Sequence, residues 1–269
     1  MRCAVVGDPI GHSLSPILHR AAYAAVGLDW AYDAHRVVAG GLAGFVAGLD
    51  ETWRGLSVTA PLKREALALG DVVTDRARLA GGANTLLRRD GSWTADNTDL
   101  PGAAAAVRER WDGPVATVTV LGGGATAASA ALAMCDLGAT SVRLLVRSAA
   151  RAAETAAAIG RHPSAPDVEV GDLGDAVVGE VVVSTVPVSA QDAELVSRCA
   201  AAPVVFEVLY DPWPTPLAAA AAGRVLVSGL DLLVHQAALQ LTLFTGEPAP
   251  LAEMRRAGEA ALAARGSSA

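Results

Sequence analysis

A chain of 269 residues is long enough for one large domain or two modest ones, each with a buried core. Its 52% hydrophobic and 18% charged residues exclude a disordered segment, and 4% aromatic content leaves Ala, Val and Leu to build the interior. A net charge of -7 argues against a nucleic-acid surface, which needs clustered Lys and Arg, while leaving room for a locally positive site that holds a small anion.

In chain order, Cys3–Val6 reads as a strand. Ser15-Pro16 then reads as an N-cap with proline at the first helical position, and the helix runs to about Gly27. Trp30–Val38 alternates like a second strand, Gly41–Leu49 is a weak helix, and Gly55–Thr59 is a third strand. Pro61 opens a helix ending near Gly70. Thr85–Arg88 and Ser92–Ala95 flank Asp90-Gly91, a hairpin signal because both central residues tolerate positive φ.

After Pro101 the pattern changes. Val115–Leu121 is a continuous apolar run, as in a strand covered on both faces. Gly122-Gly123-Gly124 and an Ala-rich helix to about Leu137 follow, with further strands at Ser141–Val146, Glu180–Val186, Val204–Leu209 and Arg224–Val227. Strands alternating with helices imply βαβ units and a parallel sheet, with domain cuts near residues 100–102 and near Gly229. No apolar run reaches the roughly 18–20 residues of a membrane span. Cys3, Cys135 and Cys199 lie far apart, so neither a disulfide framework nor a zinc site is expected. Gly7-Asp8-Pro9 puts a turn where a signal peptide needs its apolar stretch, and a cytoplasmic protein is expected.

Gly122, Gly124 and Ala127 satisfy GxGxxG/A between a strand and a helix, and Gly122, Gly123, Gly124 and Ala125 are the candidate pyrophosphate turn. The first glycine permits the tight turn, the second lets backbone approach the pyrophosphate, and the helix N-terminus offers free N–H groups. Such a motif alone is also met in flexible turns; its strand-before, helix-after setting favours a dinucleotide. The next strand ends at Val146-Arg147-Ser148, with Arg151 one turn later, where an NAD enzyme usually carries a carboxylate for the ribose 2′-hydroxyl. A guanidinium fork suits a 2′-phosphate instead, so NADP(H) is the expected cofactor. The plainer reading is two solvent-facing arginines.

Several segments together resemble shikimate dehydrogenases. They are Gly7-Asp8-Pro9-Ile10-Gly11-His12-Ser13-Leu14-Ser15-Pro16-Ile17-Leu18-His19, Ser57-Val58-Thr59-Ala60-Pro61-Leu62-Lys63, Gly82-Ala83-Asn84-Thr85, Asp96-Asn97-Thr98-Asp99, Tyr210-Asp211-Pro212-Trp213-Pro214-Thr215-Pro216-Leu217, and Gly229-Leu230-Asp231-Leu232-Leu233-Val234-His235-Gln236. The resemblance implies an α/β protein of two domains. An open twisted α/β substrate-binding domain would use residues 1–101 plus 230–269, and a doubly wound Rossmann NADP-binding domain would use residues 102–229, with hinge closure around the reactants. It implies NADPH-dependent interconversion of 3-dehydroshikimate and shikimate, with Lys63 and Asp99 as the catalytic pair. By the same resemblance Ser13 and Ser15 hold the substrate carboxylate, and Thr59, Asn84, Asp99 and Gln236 its ring hydroxyls. Thr185, in Val183-Ser184-Thr185-Val186-Pro187, falls near the nicotinamide, Gly229 is a further cofactor-binding residue, and no metal is needed. Ser57, Val146 and Leu232 depart from the residues common in that family, which are Asn, Asn and Met.

The assigned roles make chemical sense: hydride reaching a ketone carbon leaves charge on oxygen, which an ammonium stabilises and protonates. Each residue also has a plainer reading: Ser15 and Asp99 as caps, Lys63 as a surface lysine in a first helical turn, Asn84 and Asn97 as turn formers, Gln236 on a helix surface. The functional alternatives are a quinate/shikimate or aminoshikimate dehydrogenase, or a silent metabolite sensor. The partners expected are the small-molecule substrate and at most a second copy of the chain, with no nucleic acid and no membrane.

Overall fold

The computed structural model describes residues 1–266, the Arg151 side chain excepted. Its contacts divide the chain into two compact units: residues 1–78, 82–98 and 233–269, and residues 79–81 and 99–232. Among the described residues no helix is long and apolar enough to cross a membrane.

The first unit opens with β1 (Arg2–Gly7), α1 (Ser15–Ala25), β2 (Ala31–Arg36), α2 (Leu42–Ala47) and β3 (Trp53–Val58). Then come α3 (Lys63–Leu69), β4 (Val72–Val73), α4 (Asp75–Ala80), β5 (Thr85–Arg89) and β6 (Ser92–Asp96). The sheet order is β2-β1-β3-β5-β6-β4. β1 is buried along Cys3–Val6, which explains its unbroken apolar run, and it lies parallel to both β2 and β3. β2 is an edge strand, and Asp33 and Arg36 place a charge on each of its faces. The β5–β6 hairpin closes through Asp90 and Gly91 at φ 51° and 81°, as its two-residue turn requires, and it makes β5 antiparallel to β3, so this sheet is mixed.

The second unit runs α5 (Asp99–Arg110), β7 (Thr117–Leu121), α6 (Ala125–Asp136), β8 (Ser141–Val146), α7 (Ala149–Gly160) and β9 (Asp167–Asp172). It continues with β10 (Val181–Ser184), α8 (Ala193–Arg198), β11 (Val204–Glu207), α9 (Pro216–Ala219) and β12 (Val225–Val227). Its sheet is parallel throughout, in the order β12-β11-β10-β7-β8-β9. α6 is buried over most of its circumference. Ala127, Ala128, Ala130, Ala131 and Ala133 let it pack closely against β7, and Val118, Val120 and Val183 join the same core.

Helices α10 (Gly229–Thr245) and α11 (Leu251–Gly266) end the chain. The unit boundaries at 98/99 and 232/233 lie a few residues from the sequence cuts, α5 starting at Asp99 and the first turn of α10 staying with the second unit, while residues 79–81, which no sequence cut separates, also group with the second unit. Ser15 also departs from expectation. It is the first residue of α1, the N-cap is Leu14 without a side-chain bond, and the Ser15 N–H donates to the Ser13 hydroxyl at 3.3 Å.

Candidate active site

In the first unit the predicted substrate residues gather beyond the carboxyl ends of β1 and β3. These strands flank the point where the chain order of the sheet reverses, the place where open α/β sheets bind ligands. The loops leaving the two strands are stitched together: the Thr59 N–H donates to the Val6 carbonyl at 2.9 Å and the Asp8 N–H to the Ala60 carbonyl at 3.0 Å. A side chain on Gly7 would strike Thr59 Cγ2, its Cβ lying 2.3 Å away, so glycine lets the Thr59 loop approach. Ser13 is half-buried and Ser15 buried at the start of α1.

Lys63 is the first residue of α3 and half-buried. Its carbonyl accepts from the Ala83 N–H at 2.8 Å, which lays the segment before Asn84 beside the head of that helix. Asn84 is buried. Its Nδ2 donates to Thr98 Oγ1 (2.9 Å) and Gln236 Oε1 (3.2 Å), and its Oδ1 accepts from the Thr98 N–H (2.8 Å) and the Thr85 hydroxyl (2.9 Å). Gln236 is buried on α10, not on a helix surface, and donates to the Leu233 carbonyl. Thr98 carried no predicted role, yet it binds Asn84 through both backbone and side chain.

The turn into Asp99 is anchored from beneath. Asn97 Nδ2 donates to the Gly82 carbonyl at 2.8 Å, and Asp96 accepts from Arg76, Thr74 and the Asn97 N–H. Burial alone would raise the Asp96 carboxyl, but Arg76 and Thr74 outweigh it and hold the group below its ordinary range. Asp99 itself is buried as the first residue of α5, in the second unit.

Of the candidate cofactor residues of the second unit, Gly122 and Thr185 meet at its own reversal point, between β7 and β10. Gly122 follows β7 at φ 115°, where a Cβ would lie 2.2 Å from Thr185 Oγ1, and that hydroxyl is fixed by a 2.9 Å bond to the Leu121 carbonyl. Gly123 packs against Ala152 of α7 and its carbonyl accepts from Thr155 at 2.8 Å. Gly124 is the extended N-cap of α6 without a side-chain cap, and Ala125 is the first helical residue. This bare turn against a helix N-terminus has the shape and polarity a pyrophosphate needs. Arg147 is exposed directly after β8, while the Arg151 side chain lies outside the described residues. Gly229 opens α10 with its α-carbon against the backbone of Val208 and Leu209.

One buried cluster here was not foreseen. Glu207, at the end of β11, accepts from Gln191 (2.7 Å), Thr215 (3.0 Å) and the Leu209 N–H (3.1 Å). Burial pushes its carboxyl up against these donors. It ties together the backbone that follows β10 and β11. Only an acidic residue inside an apolar strand hinted at it.

A parallel sheet of this order, with a glycine turn after its first strand, defines a Rossmann-type dinucleotide-binding unit. Joined to a separate α/β unit rich in polar side chains, it marks a nucleotide-dependent dehydrogenase. Residues 5–86 match the shikimate dehydrogenase substrate binding domain, and residues 229–257 match the shikimate 5′-dehydrogenase C-terminal domain. A shikimate dehydrogenase (NADP(+)) of Caulobacter vibrioides is 36% identical over 93% of this chain and 92% of the relative. Among solved structures, shikimate dehydrogenase of Mycobacterium tuberculosis superposes with a TM-score of 0.88 at 41% identity, covering 97% of this chain and 99% of that one. The Thermus thermophilus enzyme, in complex with NADP(H) and shikimate, gives 0.82 at 28% identity over 97% and 99%. The chain belongs to the shikimate dehydrogenase family.

Proposed function

We infer that this protein catalyses the reversible, NADPH-dependent reduction of 3-dehydroshikimate to shikimate, with the residues gathered beyond β1 and β3 as its substrate site. The observation that carries the reading is the set Asn84, Thr98 and Gln236: buried polar side chains, with Asn84 bonded to both of the others. Buried amides and hydroxyls of this kind suit a polyhydroxylated ring and reject analogues that leave one of them unpaired. The glycine turn and Arg147 fit NADP(H), which when bound supplies the hydride.

In this mechanism Lys63 stabilises the charge that develops on the ketone oxygen and delivers the proton. Asp99 accepts a hydrogen bond from a ring hydroxyl and orients Lys63. Ser13 and Ser15 hold the carboxylate, while Thr59, Asn84 and Gln236 bind the ring hydroxyls. Gly122, Gly123, Gly124, Ala125, Thr185 and Gly229 keep side chains and hydroxyls where a dinucleotide fits, with Arg147 and Arg151 at the 2′-phosphate. A cytoplasmic monomer or homodimer acting on a small molecule, without nucleic acid, completes the reading.

The test is loss of NADPH absorbance with 3-dehydroshikimate as substrate, NADH and quinate being run in parallel. Turnover that is fastest with NADPH and 3-dehydroshikimate is expected. Comparable turnover with NADH removes Arg147 from its role, a preference for quinate moves the activity to the sister dehydrogenases, and no turnover at all overturns the reading.

A further inference from the structure

Beneath Asn84, wholly within the first unit, lies a chain of buried polar groups that no substrate role accounts for. The Tyr32 hydroxyl on β2 donates to Ser57 Oγ on β3, and Ser57 donates to Gln240 Oε1 on α10 at 2.6 Å. Gln240 Nε2 spends one proton on the Asn84 carbonyl and the other on Thr85 Oγ1, both at 2.9 Å. All of these residues are buried.

The polarity of the chain is set by one atom. A backbone carbonyl only accepts, so Gln240 must turn its NH2 toward Asn84, its Oε1 then faces Ser57, and Ser57 has to donate. The Ser57 lone pair is left for the Tyr32 O–H. At the other end, Thr85 Oγ1 already accepts from Gln240, which directs its own proton to Asn84 Oδ1 (2.9 Å). Together with the Thr98 N–H this gathers the donors around Oδ1, so the Asn84 amide turns its Nδ2 toward Gln236 Oε1.

We propose that Gln240 is a positioning residue: backed by Ser57 and Tyr32, it fixes the place and the flip of the Asn84 side chain, whose Nδ2 then holds Thr98 Oγ1 and Gln236 Oε1 and so sets the geometry of the Asn84–Gln236 pair that reads the ring hydroxyls. The inference rests on the substrate site proposed above. It makes the fit of the ring depend on a residue one helical turn beyond Gln236 that touches no ligand itself. Gln236 and Gln240, four residues apart on one face of α10, divide the labour: one faces the Asn84 amide, the other its backbone.

The experiment is a double-mutant cycle on the full-length protein. Gln240→Met keeps length and apolar fill while removing both donors and the acceptor. It is measured alone and combined with Asn84→Ala, with kcat, the KM for 3-dehydroshikimate and the KM for NADPH read for each. Gln240→Met alone should raise the substrate KM about tenfold, the worth of one oriented hydrogen bond. The KM for NADPH and kcat should stay within about twofold. On the Asn84→Ala background the same change should add less than about twofold, because the group it positions is gone. A merely architectural Gln240 gives the full effect on both backgrounds, and that result overturns the proposal. So does an unchanged substrate KM. Should Gln240→Met fail to fold, Ser57→Ala, which withdraws the proton on Gln240 Oε1 together with the acceptor of the Tyr32 hydroxyl, enters the same cycle: a rise in substrate KM confined to the Asn84 background supports the proposal, and an equal rise on both backgrounds, or none, overturns it. Absence of turnover in the unmutated protein is distinguishable from all of these and removes the substrate reading together with the relay.

Discussion

His19 gives the sharpest test of the electrostatics of the first unit. It is fully buried on α1, stacked on Tyr32 with ring centroids 4.1 Å apart, and neither ring nitrogen has a hydrogen-bond partner. Burial pushes its pKa from 6.5 down to about 3, offset only in part by the nearby Gln240 amide. The native state therefore holds a neutral imidazole at pH 5, while the unfolded chain protonates below 6.5. Unfolding takes up a proton across that interval, so stability present above pH 6.5 declines as the pH falls and the loss is complete only below about 3. The slope is about 1.4 kcal/mol per pH unit, or about 2 kcal/mol between pH 6.5 and 5. Urea unfolding at about pH 7, 6 and 5 measures it in the unmutated chain and in His19→Leu. The variant changes packing by a constant at every pH, so the difference in slope, and not the absolute stability, carries the test. The unmutated protein should lose about 2 kcal/mol more than His19→Leu over the interval. Parallel lines would refute the argument and mean that the imidazole is solvated or paired in solution.

Three further outcomes follow from the two candidate sites. Gly122→Ala forces a Cβ to within 2.2 Å of Thr185 Oγ1 at a backbone angle hostile to side chains. It should cost about 1–3 kcal/mol, lower the Tm by roughly 3–9 °C in a thermal melt, and raise the KM for NADPH at least about tenfold while sparing the substrate KM. Arg147→Ala should raise the KM for NADPH by about tenfold or more and that for NADH little, because only the former carries a 2′-phosphate to lose. Equal effects in steady-state kinetics would remove the role. Lys63→Ala should lower kcat by at least about a hundredfold with substrate affinity within a small factor, since charge on the ketone oxygen arises in the transition state; near-normal kcat would take Lys63 out of the mechanism.

Much of the fold was readable from the chain because local pattern and tertiary demand agree. Val118, Val120 and Leu121 are apolar and Thr119 between them is buried with its hydroxyl on the Val178 carbonyl, because β7 is covered on both faces, and the glycines after it mark the turn. Asp90-Gly91 announced its hairpin for a conformational reason that holds in isolation. Other features were silent for equally physical reasons. β9, Asp167–Asp172, carries acidic residues and sits at a sheet edge, and its alternation of Val168 and Val170 with Asp167 and Glu169 is too short to stand out from the surrounding chain. β4 spans only Val72–Val73 and exists through its pairing with β6. Ser15 followed by proline has the form of a cap, but the backbone enters the helix one residue earlier. Gln236 looked like a surface residue because a helix apolar on most sides does not say which face a lone amide takes; its burial depends on Asn84, far away in the chain. Glu207 with Gln191 and Thr215, and Gln240 with Ser57 and Tyr32, are likewise assembled by topology alone.

The two candidate sites are built on opposite principles, and the difference predicts how each fails. In the second unit the recognition surface is backbone: Gly122 and Gly123 leave room, Gly124 leaves the α6 N-terminus uncapped, and neighbouring side chains already fill the space any substituent on the first two would need. Additions are what harm such a site, because a single methyl group meets Thr185 or Ala152. In the first unit the surface is side chain: Asn84 is bonded to both Thr98 and Gln236 in a buried setting where each lost partner leaves another polar group unpaired. Deletions are what harm that site, even conservative ones. A dinucleotide offers the same pyrophosphate to every enzyme that uses it, so a shape held by backbone suffices. A particular arrangement of ring hydroxyls has to be told apart from its near relatives, and that requires donors and acceptors whose orientation is fixed from behind. In the proposed site the buried amides of α10 supply that backing, so that selectivity for the ring would be set as much by the groups beneath Asn84 as by Asn84 itself.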